Sequence, residues 1–78
     1  MPRVKVRKPQ DIGSTIKAAR QDSGLSQEDL ASRLGYNRDY LVDLEAGATN
    51  LFTRRLLNTF HELGVTVTLT YGDNHGRS

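Results

Sequence analysis

Two histidines, His61 and His75, are the only imidazoles of a 78-residue chain that has no cysteine. They lie far apart in sequence with no carboxylate pair beside them, so they make no metal-ligand spacing, and neither a metal nor another cofactor is expected. Ser26 and Thr53 belong to no Ser–His–Asp arrangement and face no oxyanion-hole motif, and both read as helix caps. A single domain of this size has little room for both a core and a deep cleft. The chain is therefore not expected to be an enzyme. The chemistry it does offer is cationic. Arg3, Lys5, Arg7 and Lys8 stand without an acid in the first ten residues, a segment of +4 in a chain of net +2, so the remainder sums to −2. Such a cluster attracts phosphate without regard to sequence. The lack of cysteine fits a reducing cytoplasm. No apolar run approaches the roughly 20 residues of a membrane span, and the basic start is not followed by an apolar stretch of signal-peptide length.

The elements that position these groups follow from spacing. Residues 1–9 form a basic flexible arm in which Val4 and Val6 alternate with cations between Pro2 and Pro9, extended or disordered and not helical. Ile12, Ile16 and Ala19 then mark one face of a helix that Gly24 ends. Ser26, followed by Glu28 and Asp29, starts a second helix with Leu30, Ala31 and Leu34 inward, closed at Gly35. Asn37 is the candidate N-cap of a third helix, from Arg38 to about Ala46, with Leu41 and Leu44 inward and Gly47 as its stop. A fourth helix carries Phe52, Leu56, Leu57, Phe60 and Leu63, and the stripe Phe52, Leu56, Phe60 and Leu63 is read as core. Residues 65–71 alternate apolar residues with threonines, the period of a strand with one face to bury. The fold class is mainly α: a four-helix domain over residues 10–64, a strand at 65–71 and a disordered tail at 72–78.

Between Ser26 and Gly47 two short helices joined at Gly35 have the proportions of a bracing helix followed by one that projects into a major groove. The run Ile16-Lys17-Ala18-Ala19-Arg20, then Gly24 to Ala31, then Leu34-Gly35, Leu44-Glu45-Ala46-Gly47 and Leu63-Gly64-Val65 resembles the Cro/C1-type helix-turn-helix family of phage repressors and bacterial regulators. The likeness covers about two-thirds of the chain and implies a lambda-repressor-like domain that binds double-stranded operator DNA. It implies that Gln27 contacts a phosphate and helps position the third helix, and that Arg38, Asp39 and Asp43 lie on the base-reading face. Asn37, Tyr40 and Arg33 join them as candidate DNA contacts. The Tyr40 ring has two readings, at the groove edge or packed in the domain. Arg20 and Glu45 occupy positions that in many members form a partly buried ion pair; the alternative is two ordinary surface charges. An Arg among Ile16, Ala19 and Leu44 is better tolerated with a bidentate partner than alone.

One departure from a strong DNA binder is electrostatic. Between Ala18 and Gly47 three basic residues face six acidic ones. Asp39 and Asp43 cannot meet phosphate favourably, but they can accept from a cytosine amino group while Arg38 pairs bidentately with guanine. Affinity then rests on the arm, Lys17, Arg33, Arg54, Arg55 and the doubling of contacts in a dimer.

The final strand suggests that dimer. A lone strand cannot satisfy its backbone groups, so pairing with the same strand of a second copy is expected, with Val65, Val67, Leu69 and Tyr71 at the homodimer contact. A short helix-turn-helix chain with such a strand is similar to the HipB-like antitoxins, which implies autorepression of its operon and neutralisation of a partner kinase toxin. Two other readings remain open: a stand-alone regulator, and an interaction module with weak DNA binding.

Overall fold

The structure, a computed structural model, describes residues 2–72. Its elements in chain order are β1 (Arg3–Val6), α1 (Pro9–Asp22), α2 (Gln27–Leu34), α3 (Arg38–Glu45), α4 (Leu51–Glu62) and β2 (Val67–Thr70).

Each helix begins where a side chain can take up orphan backbone N–H groups. Pro9 opens α1, at the position where a missing N–H is harmless. The Asp11 carboxylate accepts from the backbone N–H groups of Arg7, at 2.7 Å, and Lys8, at 3.1 Å. Ser26 and Asp29 cap α2 reciprocally: Asp29 N donates to Ser26 Oγ at 3.0 Å, and Ser26 N to Asp29 Oδ2 at 3.1 Å. Asn37 Oδ1 accepts from Asp39 N at 2.7 Å. For α4 the cap is Asn50, whose Oδ1 accepts from Thr53 N at 2.9 Å. Thr53 therefore supplies a backbone donor to a cap and is not the cap that the sequence suggested. Between α2 and α3 the chain turns at Gly35, which takes the left-handed conformation at φ +73° that other residues adopt only with strain.

The basic arm is not a free tail. Arg3–Val6 pairs antiparallel with β2 in the register Arg3↔Thr70, Val4↔Leu69, Lys5↔Thr68 and Val6↔Val67. Tyr71 N also donates to the Pro2 carbonyl at 3.3 Å. The alternation of valine and cation that reads as an extended arm is the period-two pattern of a strand, and the matching strand lies at the other end of the chain. Val4 and Val6 meet Leu69 and Val67 on one face, with Val6 buried, while Arg3 and Lys5 stand exposed beside Thr70 and Thr68. The premise that β2 is a lone strand is thus corrected, because β1 of the same chain satisfies one of its edges. Val67, Leu69 and Tyr71 are half-buried within this single chain, and Val65, ahead of the strand, is exposed.

The core is small. Leu41 of α3 is fully buried, with Ala31 of α2 and Val6 of β1 close behind. Helix α1 crosses the end of α3 so closely that a Cβ at Gly13 would stand 2.6 Å from the carbonyl oxygens of both Leu44 and Glu45. Only glycine permits that approach.

Helix α4 overturns the expected core stripe. Its half-buried positions are Thr53, Leu57 and Phe60, whereas Phe52, Leu56, Thr59 and Leu63 are exposed, Phe52 by 74% and Leu63 by 71%. The helix carries apolar residues on two faces, and the other elements of one chain cover only one. Even that side is incompletely filled: a cleft of about 320 Å³ separates Leu57 and Phe60 from Val6, Val65 and Val67. No described helix is long and apolar enough to cross a membrane. The segment expected as a tail lies outside the described residues from residue 73 onward, as does His75.

Candidate nucleic-acid interface

Helix α3 is eight residues long, starts at Arg38 and ends at Glu45. These two residues are seven apart, close to two turns, so they lie on one side of the helix about 10 Å apart along its axis. Gln27, the first residue of α2, spans that interval. Its Nε2 donates to Glu45 Oε1 at 3.1 Å, and its Oε1 accepts from Arg38 Nη2 at 3.4 Å. The residue expected to contact phosphate and help position the third helix is thus engaged along α3, and its amide oxygen makes a long contact with the Arg38 guanidinium at the exposed start of that helix.

Glu45 is the anchor of this arrangement. Arg20 Nε donates to Glu45 Oε2 at 2.6 Å and Nη2 to Oε1 at 3.1 Å, while Nη1 donates to the Leu25 carbonyl at 2.8 Å. The side chains are 9% and 3% exposed, so the pair is bidentate and largely shielded from water. The hydrogen bond from Arg20, then that from Gln27, hold the Glu45 carboxyl below its ordinary range against the opposing effect of burial. Glu45 in turn raises the Arg20 guanidinium. One ion pair thereby ties α1, the α1–α2 turn and the end of α3 together, and Gln27 extends the network to Arg38.

The outer surface of α3 is open. Arg38, Asp39, Tyr40 and Asp43 are all exposed, and Asp39 and Asp43, four residues apart, share one ridge. The Asn37 side-chain oxygen is occupied as the α3 cap. Arg33, in the last turn of α2, is exposed, and its charge contributes to keeping Asp29 ionised, behind the hydrogen bonds from Ser26. Tyr40 is 58% exposed and meets Tyr36 edge to face, with ring centroids 5.4 Å apart. That contact sets the Tyr40 ring against Tyr36, ahead of α3, while leaving it largely open to solvent.

The sequence reading missed Tyr36, Gly13 and Asn50. An aromatic residue directly after the turn glycine is a usable signal for the first. Gly13 looks like a defect inside an apolar helix until α3 is seen against it. Among the described residues no group of three His, Cys, Asp or Glu side chains is placed to hold a metal. His61 is exposed on α4.

A bracing helix, a glycine turn and a second short helix with an open face thus stand between α1 and α4, and relatives share this region. The helix-turn-helix domain family matches residues 11–67, from the first turn of α1 into β2. Among curated proteins, the chain is 30% identical over 63 residues to the uncharacterized HTH-type transcriptional regulator y4mF of Sinorhizobium fredii (strain NBRC 101917 / NGR234), covering 81% of this chain and 83% of that protein. It is 35% identical over 54 residues to the uncharacterized HTH-type transcriptional regulator y4dJ of the same organism, covering 69% of this chain and 70% of that protein. No solved structure matches it. The chain belongs to the helix-turn-helix domain family.

Proposed function

We propose that this chain is a sequence-specific DNA-binding transcriptional repressor that acts as a homodimer in the cytoplasm, without cofactor or catalytic activity. The observation that carries the reading is the exposed face of α3 with Arg38 at its start beside Gln27, on a helix braced by Arg20 and Glu45. An arginine at the leading end of a groove-entering helix suits bidentate contact with guanine, and the Asp39–Asp43 ridge can accept from cytosine amino groups. The relatives named as transcriptional regulators support the same direction.

The finer reading is an antitoxin of a HipBA-type operon, which represses its own operon and neutralises a kinase toxin. It is supported by the combination of a short helix-turn-helix body with a terminal strand. The acidic ridge favours a second reading, an interaction module with weak DNA binding, since Asp39 and Asp43 repel phosphate. A stand-alone regulator is the case in which no toxin gene lies beside this one.

A mobility-shift assay on the DNA directly upstream of its own gene separates DNA binding from the interaction-only reading, and a kinase-like gene beside this one separates the antitoxin from the stand-alone regulator. The wild-type chain is expected to shift that DNA, and Arg38→Ala to shift it about five- to a hundredfold more weakly with unchanged circular dichroism, the size of one lost bidentate base contact at ~1–3 kcal/mol. No shift by either protein at low salt would leave the interaction module as the reading.

A further inference from the structure

We infer that the outer face of α4 is the homodimer contact, packed antiparallel against α4 of a second copy. The inference rests on the homodimer proposed above and moves its contact away from β2. The uncovered residues Phe52, Leu56, Thr59 and Leu63 are spaced four, three and four apart, the a/d spacing of helices that pack side by side. This spacing reads the same in both directions. In an antiparallel pair Phe52 therefore meets Leu63 of the partner subunit and Leu56 meets the partner's Thr59, each contact occurring twice about a two-fold axis. Thr59 does not oppose this, because its hydroxyl donates to the Arg55 carbonyl of its own helix at 2.7 Å and so is already satisfied.

Three further observations favour a second copy as the occupant. Arg55 and Glu62 stand seven residues apart along one flank of the stripe, so antiparallel packing brings Arg55 of each copy beside the partner's Glu62. A shallow groove lined by Arg55, Asn58, Thr59, Glu62 and Leu63 lies at the far end of α4 from Phe52, which projects with 74% of its surface exposed. Projection and recess on one patch are what a self-complementary contact requires. Phe52, Leu56 and Leu63 together expose on the order of 350 Å² per chain, in the range of a monomer's largest and often functional patch, and two copies with their polar flanks approach the ~1,000 Å² of a specific interface.

Sedimentation equilibrium on the full chain tests this with charges that spare the helix. Aspartate suits the first turn of α4 and lysine its last, so Phe52→Asp and Leu63→Lys should leave helicity unchanged by circular dichroism. The wild type is expected to dimerise, and each single variant to weaken the dimer about a hundredfold, because each sets an unpaired charge against an apolar side chain at both symmetry-related contacts. The double variant Phe52→Asp/Leu63→Lys places opposite charges across both symmetry-related contacts and should regain part of the affinity at low salt only. Single variants that remain as dimeric as the wild type would overturn the α4 contact while the homodimer stands. A wild-type chain that is monomeric at every concentration, with or without the upstream DNA, would overturn the homodimer and this contact together.

Discussion

At the scale of single residues, Glu45 has the largest structural consequence. It is buried at the end of α3 and accepts from Arg20 twice and from Gln27 once. Glu45→Ala leaves the Arg20 guanidinium shielded and short of its partner, and the expected loss in urea unfolding is about 3 kcal/mol. Replacing both residues by apolar ones of similar volume, as Arg20→Met/Glu45→Leu, should recover most of it. The pH dependence has a definite sign. Arg20 and Gln27 hold the folded-state pKa of Glu45 below its unfolded value. The folded state therefore binds fewer protons, and the contribution is whole above the ordinary glutamate value of about 4.3 and is lost as pH falls through the lowered one. Thermal midpoints of wild type and Glu45→Gln should lie furthest apart above that range and converge in acid. The Arg20–Glu45 contact was one of two readings available from sequence, because an arginine on an apolar helix face calls for a partner. The family resemblance implies that Gln27 helps position α3, but its partners Glu45 and Arg38 were not legible, since nothing in the spacing of the three residues reveals that α2 begins alongside α3.

Among the elements, α4 separates what sequence reveals from what it hides. Its existence and its C-terminal end follow from helical period and Gly64, but its facing does not. With apolar residues at 52, 56, 57, 60 and 63, two overlapping stripes fit the same helix. Only the position of the other elements decides that Leu57 and Phe60 turn inward. The cap shows the same limit: Asn50 and Thr53 are both capping types, and the geometry selects Asn50. Asn50→Ala should therefore lower stability by about 1 kcal/mol, while Thr53→Ala should change it by less than about half that, in paired chemical-denaturation curves. Equal losses would put the start of α4 elsewhere. The β1–β2 sheet was hidden for a different reason. Each half was readable as extended chain, but the pairing joins residues more than sixty positions apart, and local pattern carries no information about such partners.

Over the whole molecule, charge and assembly decide how so acidic a helix-turn-helix unit meets DNA. Among the described residues, the cations outside it belong to β1 and its flank, to Lys17 on α1, and to Arg54 and Arg55 on α4. Because β1 is fixed in a sheet, Arg3 and Lys5 are presented at set positions and lose less freedom on binding than a loose arm would. Affinity for duplex DNA should then fall steeply with salt, by at least tenfold between 50 and 200 mM if about three phosphates are neutralised per bound protein. Near-equal affinity across that range would remove the electrostatic account. The central claim is that α3, held by Gln27 and the Arg20–Glu45 pair, is the surface that reads DNA. The most direct test follows backbone amide signals of isotopically labelled protein as the duplex from upstream of its own gene is added at low salt. The largest changes are expected from Arg38 to Asp43 and at Gln27, with smaller ones along β1. Changes confined to α4 and the sheet, with α3 unmoved, would contradict it.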